Sequence, residues 1–552
     1  YRHDGKVKHE TLANLTALPD HAREVLRAVL KGQPVLLGGQ DVTVLGSAPH
    51  GHVAAVMACA KTLGLPKLLG PAGRQRDLAL GLIVARVIRP GSKLATSRWW
   101  ADTTLGADLG IGAASTDEIY AAMDWLAARQ DRIQKTLAAR HLNAEVNPLR
   151  LAMFDLSSSW MTGRCCPLAA RGYSRDGKKG LPQIEYGLLT DPAGRPVAVK
   201  VFDGNTADPS AFTTITADLR TRFGLDQLVM VGDRGMITSA RIEKLKEVGG
   251  YGWVTALRAP QIAALAADQG PLQLSLFDTT DMAQITHSDY PGERLIACRN
   301  PALAEQRTRK RVALLAATDT ALNTIARSVA AGRLKGEDKI GLKVGKTIGK
   351  YKMAKHYQLQ ITDTTFTYTH DTDSITGESA LDGIYIVRTT LTDTQADSAQ
   401  VVATYKNLSR VERDFRSIKA IDLHLRPVHH WTETRVKAHV FICMLAAYLV
   451  WHLRRTWAPL TYTDEHAPAP TTPSQPARRS KAADTKASTG TTTSGQPALS
   501  FRSLLDHLAT LTRNTIQYGP DGPVVPTLAV PTDTQRAAFE LLATPIPVTL
   551  KA

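Results

Sequence analysis

At Arg150 the spacing of apolar residues changes, and the order of elements that follows restricts the chain to one kind of architecture. A short apolar run at 151–156 reads as a strand, and runs at 184–189 and 196–202 flank the turn Asp191-Pro192-Ala193-Gly194, which predicts a hairpin. A helix is expected over 209–223, with Pro in its first turn and Ile215 and Leu219 on one side. A buried strand at 228–231, a helix at 239–248 and a strand at 251–257 follow. Three strands able to form a meander, then helix, strand, helix, strand, predict an α/β fold: a mixed sheet with helices packed against it.

The rest of the chain divides around this segment. Residues 1–148 alternate helical patterns with Gly/Pro breaks; one helix is expected from about 74 to 87 and another behind the cap Ser115-Thr116-Asp117-Glu118. This region reads as all-helical and DNA-binding. Residues 149–257 form the first part of the core, and 258–398 read as a separate β-rich insertion. Helical periodicity returns over 399–457. A Thr/Ser/Pro/Ala-rich stretch at 458–500 reads as a disordered linker, and 501–552 as a short helix and tail.

Composition limits the partners. The 552 residues carry 67 Lys plus Arg against 51 Asp plus Glu, a formal charge of +16, which makes a polyanion the first partner to consider. Five cysteines without a CxxC pair fit a reducing compartment and predict neither a disulfide framework nor a structural zinc. The longest apolar stretch, 440–451, has twelve residues, short of the roughly 20 of a membrane span, and reads as a buried helix. The first residues lack a signal-like apolar run, which predicts a cytoplasmic protein, and the missing initial Met points to a trimmed or truncated start.

Three carboxylates stand out. Asp155 and Asp233 each follow an apolar strand run, where the strands are expected to end, and an acid there is costly to bury without a partner such as a metal ion. For either residue alone, an N-cap or loop role is the ordinary alternative. Glu412 lies on a helix whose Leu408, Val411, Phe415 and Ile418 form the expected buried stripe. Tyr405, Glu412 and Lys419, each seven apart, should line its border, and Arg416 follows one turn after Glu412. A salt-bridged surface helix gives the same Glu/Arg spacing. Together the three acids can bind two divalent ions about 4 Å apart, one activating a water or 3′-hydroxyl and the other stabilising the leaving oxygen of phosphoryl transfer. Oxygen-only ligands suit Mg²⁺.

With these acids in place, the chain resembles bacterial insertion-sequence transposases with an RNase H-like DDE core, in the group with a β-strand insertion before the glutamate. The resemblance runs from about residue 20 to 515. It rests on Phe154-Asp155-Leu156-Ser157-Ser158, Gly172-Tyr173-Ser174-Arg175-Asp176 with Gln183 and Gly187-Leu188-Leu189, Asp203-Gly204-Asn205-Thr206 and Val231-Gly232-Asp233-Arg234-Gly235. The glutamate helix and Leu425-Arg426-Pro427-Val428-His429-His430-Trp431, with Arg435 and His439, complete it. The family's glutamate signature is Tyr, two residues, Arg, three residues, Glu, six residues, Lys. Tyr405, Glu412 and Lys419 fit, whereas Leu408 stands at the Arg position, which Arg410 or Arg416 would then replace on the DNA.

The resemblance implies a transposase that binds its element's inverted repeats, frees a 3′-hydroxyl at each end and joins it to target DNA, as a homodimer on paired ends and through hairpin ends in this branch. Asp155 and Glu412 would share one Mg²⁺, Asp233 would serve the other or bridge, Mn²⁺ would substitute, and Tyr405 and Lys419 would hold phosphates. The alternatives are an RNase H-fold nuclease without strand transfer and a DNA-binding remnant without catalysis. Other signals carry less. Gly341 to Thr347 has the wrong glycine spacing for a P-loop, so no nucleotide is expected. The lysines there, with Arg307, Arg309, Lys310 and Arg311, could line a DNA path or form a solvated face. His429 and His430 should point apart, and Trp431 would either pack or stack on an extruded base.

Overall fold

The computed structural model describes residues 2–3, 6–7, 14–31, 42–143, 145–163, 165–206, 208–267, 270–278, 280–468, 478–520 and 522–550. The short strands β1 (Arg2–His3) and β2 (Lys6–Val7) pair at the start, before helix α1 (Asp20–Leu30) and strand β3 (Val42–Pro49). Seven helices follow: α2 (Gly51–Thr62), α3 (Leu65–Leu69), α4 (Arg74–Ile88), α5 (Lys93–Ala101), α6 (Thr104–Asp108), α7 (Thr116–Ala127) and α8 (Gln130–His141). Helix α7 starts at the expected capping box, in which Ser115 Oγ accepts from Glu118 N and the Glu118 carboxylate accepts from Ser115 N.

The central sheet begins with β4 (Leu151–Trp160), β5 (Gln183–Thr190) and β6 (Pro196–Asp203), an antiparallel meander. Helix α9 (Asp208–Thr221) leads to β7 (Leu228–Val231), and α10 (Ser239–Val248) leads to β8 (Tyr251–Ala256). Strands β4, β7 and β8 run parallel, giving the order β6-β5-β4-β7-β8. This is an RNase H-like mixed sheet. Three polar side chains on β4, Ser157, Ser158 and Ser159, are buried, so the strand continues well past the apolar run that marks it in the sequence.

The insertion differs from the separate β-rich unit expected over 258–398. After α11 (Ala259–Leu265), its strands β9 (Met282–Ile285), β10 (Arg294–Arg299) and, later, β13 (Ile384–Thr389) extend the central sheet to eight strands, with β13 antiparallel to β8. Arg388 on β13 and Glu293 form a buried ion pair, and Trp253 Nε1 donates to the same carboxylate at 2.8 Å, which ties the added strands to β8. Between β10 and β13 lie α12 (Pro301–Ala330), α13 (Glu337–Tyr351), the hairpin β11 (Tyr357–Ile361) and β12 (Phe366–His370), and α14 (Thr372–Ala380). Helices are therefore its longest elements. The two long helices and the hairpin share their own small core of Leu322, Ile325, Val329, Ile340, Val344 and Phe366.

The chain returns through α15 (Ser398–Lys406), α16 (Leu408–Arg416), a π-helical turn at Ser417–Ile421 and α17 (Glu433–Thr456). Helix α17 is the one described helix long and apolar enough to cross a membrane, and it is mostly buried, packed on α4, α7 and β6. The N-terminal helices, central sheet and α17 thus share one apolar core. Within 458–500, read above as disordered, the described residues include α18 (Lys481–Thr489), whose Lys486 is buried and pairs with Glu465 at 2.5 Å; residues 469–477 lie outside the description. The C-terminus goes beyond a helix and tail: α19 (Phe501–Ala509) precedes β14 (Thr512–Tyr518), β15 (Val524–Leu528) and α20 (Asp533–Leu541). Strand β14 pairs with both β15 and β3, so the N-terminal region is not all-helical. Its strand finds its partner some 470 residues downstream, beyond the reach of local patterning.

A cationic group is buried where α4, α5 and α17 meet. Lys93 Nζ lies 3.3 Å from His439 Nδ1, and Arg86 donates to the backbone oxygens of Leu423 and Gly91. His439 Nε2 donates to Leu425 O, leaving Nδ1 to accept from Lys93. Burial pulls the Lys93 ammonium down to about 7, Arg86 pushes the same way, and Cys443 opposes. The unfolded chain keeps that proton to about pH 10.4, so the folded state becomes more stable as pH rises from about 7 to 10.5 and bears the full cost of the buried charge below 7. Lys93→Met should stabilise the protein by on the order of a few kcal/mol near pH 6. Urea denaturation across pH checks this: the gain should shrink toward pH 10.

Candidate active site

The site grows from the register of two parallel strands. Met153 on β4 stands opposite Val231, the last residue of β7, so Asp155 and Asp233 each lie two residues beyond the final matched pair. Asp155 is not at a strand end, as expected from the sequence, but in mid-strand, paired antiparallel with Leu188 of β5. Its neighbour β7 has stopped, and this opens the edge of β4 beside it. Asp233 is exposed in the loop after β7; its Oδ1 accepts from Gly235 N at 3.0 Å and from Met236 N, which fixes the turn.

Helix α16 packs against β4 and carries Glu412 on its exposed side. Its buried residues are Val411 and Phe415, the latter edge-on to Tyr186 of β5 at 5.8 Å between ring centres, while Leu408 is only half-buried. Of the three acids, from a strand, a loop and a helix, Asp155 feels the charge of the other two. The Asp155 carboxyl is pushed up to about 7, first by burial and then by Asp233, with Glu412 adding to it; Leu156 N–H and Arg175 oppose. Asp155 Oδ1 accepts from Leu156 N at 2.8 Å. Among the described residues no three His, Cys, Asp or Glu side chains converge as a metal cage, and the Oδ1 atoms of Asp155 and Asp233 accept from backbone amides. The residues nonetheless fit a hard divalent cation in their chemistry: a desolvated carboxyl raised further by the charge of two others is the state that a cation relieves most.

The remaining candidates separate. Tyr405, at the end of α15, is pushed up to about 12, chiefly by burial and then by Asp233, so its hydroxyl stays protonated near the acids. Arg416 is exposed one turn beyond Glu412. Arg410 folds back on the β5–β6 hairpin, where its Nη1 donates to Pro192 O at 3.2 Å and its Cβ would lie 2.9 Å from a Cβ added to Gly194 (φ +82°). Trp431, 66% exposed just before α17, is not a core residue. His429 bonds Thr162 while His430 turns inward toward His439, so the pair do point apart. Gly341 to Thr347 lies inside helix α13.

Lys419 departs furthest from expectation. The helix breaks at Asn407 and widens into the π-helical turn at 417–421, so the seven-residue spacing does not align Tyr405, Glu412 and Lys419 on one border. Lys419 is buried, and its Nζ donates to Asp176 Oδ1 at 2.9 Å; Arg426 pairs with the same oxygen. Burial lowers the Lys419 ammonium, and Asp176 partly offsets this. Residue-level reading missed this ion network: Asp176, Arg426 and the neighbouring Arg175–Glu185 pair at 3.4 Å. Its one local signal is Arg175-Asp176 inside a glycine-flanked loop. That loop is fastened by Gln183, whose Nε2 donates to Tyr173 O and Gly204 O at 3.1 and 2.8 Å, and by Gly172, where a Cβ would fall 2.2 Å from Gly204 O.

The RNase H-like sheet places Asp155 on β4 and Asp233 in the loop beyond β7, on the side of the carboxyl ends of the parallel strands, where open α/β sheets bind their ligands. The transposase DDE domain family matches residues 162–449, just over half of the chain, and the chain belongs to that family. The matched segment contains Asp233 and Glu412 and begins past Asp155. No curated protein matches the chain.

Lys419→Met should destabilise the fold by roughly 1–3 kcal/mol, because it removes a charged partner from a buried acceptor. Combined with Asp176→Asn, it should cost less than the sum of the two single changes, with a coupling of about 0.5–3 kcal/mol in urea denaturation. Half-buried Leu408→Ala should fall at or below the low end of the roughly 2–5 kcal/mol of a core truncation.

Proposed function

We propose that the chain is an insertion-sequence DNA transposase that binds the inverted repeats of its element, cuts one strand at each end to expose a 3′-hydroxyl, and joins that hydroxyl to target DNA. The observation that carries this reading is that Asp233, in the loop beyond β7, and Glu412, on the helix packed against β4, both act on the charge of the desolvated Asp155 of an RNase H-like sheet, in a chain of the DDE transposase family. Those three carboxylates are the residues that would hold two Mg²⁺ ions, with Mn²⁺ as a substitute. When bound, Mg²⁺ supplies activation of the attacking hydroxyl and stabilisation of the leaving oxygen.

The chain's own groups bind and orient the DNA. Arg416 lies beside Glu412 with an exposed guanidinium suited to a phosphate, and the protonated Tyr405 hydroxyl can donate to a phosphate oxygen. The exposed Trp431 indole offers a face on which an unpaired base can stack. Lys419 serves differently from a direct phosphate contact: it holds the loop that carries Arg175, which acts on Asp155. Two copies on paired ends, working on nucleoid DNA in the cytoplasm, complete the reading.

Asp155→Asn, Asp233→Asn and Glu412→Gln should each abolish cleavage and joining of a duplex that carries the element's end while leaving affinity for it intact, since none removes a DNA-contacting cation. Wild-type turnover by any one of them would falsify the assignment. Mg²⁺ should raise the melting temperature of the unmodified chain and of none of the three variants. Cleavage without any joined product in a strand-transfer assay would make the chain a nuclease on this fold.

A further inference from the structure

On the insertion, helix α13 carries Lys339, Lys343, Lys346 and Lys350, spaced four, three and four residues apart. At about 100° per residue they fall in an arc of roughly 60° that spans about 16 Å of helix. All four are exposed, and among the described residues none has an ion pair. Roughly 110° around the helix from the lysines, buried Ile340 and Val344 anchor it against α12 and the β11–β12 hairpin, which leaves the lysines on its solvent side.

Next to the lysine arc, past the exposed Leu342, lies a second feature. Gly341, Gly345 and Gly349 repeat every four residues, and a Cβ added at any of them would meet nothing within 4 Å. After proline, glycine is the least favourable residue inside a helix, and no neighbour among the described residues requires it here. The bared backbone therefore leaves room for something outside the chain to come close.

We propose that this face of α13 is a docking surface for the sugar–phosphate backbone of duplex DNA, seated on the lysine arc and approaching over the glycines. The proposal rests on the DNA-transposase reading and adds to it a contact on the insertion, separate from the acids. Charge complementarity identifies the partner: about 16 Å of duplex axis presents on the order of five phosphates per strand to four ammonium groups without an ion pair among the described residues, and the carboxylates of Glu337, Asp338 and Asp363 around Gly341 set the close approach over Gly345 and Gly349. The contact is independent of base sequence, because lysine stems and bare backbone offer no planar pattern to read base edges.

The test uses the full chain and a fluorescein-labelled random-sequence duplex, with affinity followed by anisotropy against salt. The unmodified chain should give a linear log–log plot. Replacing all four lysines with Gln should make its slope shallower by up to about 0.9 per lysine lost. Gly345→Leu, which has room to fold, should weaken binding without lowering the melting temperature. If the unmodified chain binds with a steep salt slope and the four-Gln variant keeps that slope, the docking surface is overturned while the transposase reading stands. If the Gln variant loses slope and Gly345→Leu binds as before, the lysine contact stands and the close approach over the glycines is overturned. If the unmodified chain has no salt-dependent affinity at all, both readings fail.

Discussion

The arrangement of this protein depends on the parallel pairing of β4 with β7. Because β7 ends opposite Met153 while β4 runs on to Trp160, the sheet has a step, and the step leaves Asp155 facing the loop that holds Asp233. A one-residue slip would turn Asp155 to the other face of the sheet. The hairpin partner β5 makes such a slip expensive, since it pairs with β4 from Met153 to Trp160. Once that register is set, α16, packed against β4, carries Glu412 where its charge acts on Asp155.

Placing α16 is the work of elements at both ends of the chain. Helix α17 supports it from below, in contact with the π-helical turn, with the meander through β6 and with α4 and α7 from the N-terminal region. The terminal strands β3 and β14 pair with each other, and Arg513 on β14 meets Asp108 at the end of α6 at 2.7 Å. The N-terminal helices are thus packed into the same core as the sheet that carries Asp155. Their removal would open the core that α17 fills.

How much of this was legible in the sequence follows the distance between partners. The β5–β6 hairpin was readable because its turn, Asp191-Pro192-Ala193-Gly194, carries the signal within four residues, and α7 because its capping box is equally local. The extension of β4 was hidden by three serines that look like a loop. They are buried because distant groups satisfy them: Ser159 Oγ lies 3.0 Å from Tyr186 Oη, and Ser158 Oγ accepts from Arg175 N at 3.0 Å. Lys419 was misplaced for a related reason. Helical spacing sets it on a border with Glu412, but the acid that draws it inward is 243 residues away, and the π-helical turn that permits the move leaves no periodic trace. The two aspartates stand out as carboxylates after apolar runs, whereas Glu412 stands out through a seven-residue spacing to Tyr405 and Lys419 that the π-helical turn breaks.

The way the insertion is spliced into the sheet has a consequence for how such chains vary in length. Its helical part leaves the sheet after Arg299 and re-enters at Ile384, and these two residues are direct partners across β10 and β13. Both ends of the excursion are clamped side by side, so the excursion is topologically a hairpin loop whose closure grows only logarithmically harder with length. It has a small apolar core of its own. Material can be added or trimmed there while β13 still delivers α15 and α16 to the same place, so the chain can change size at this point without moving Glu412.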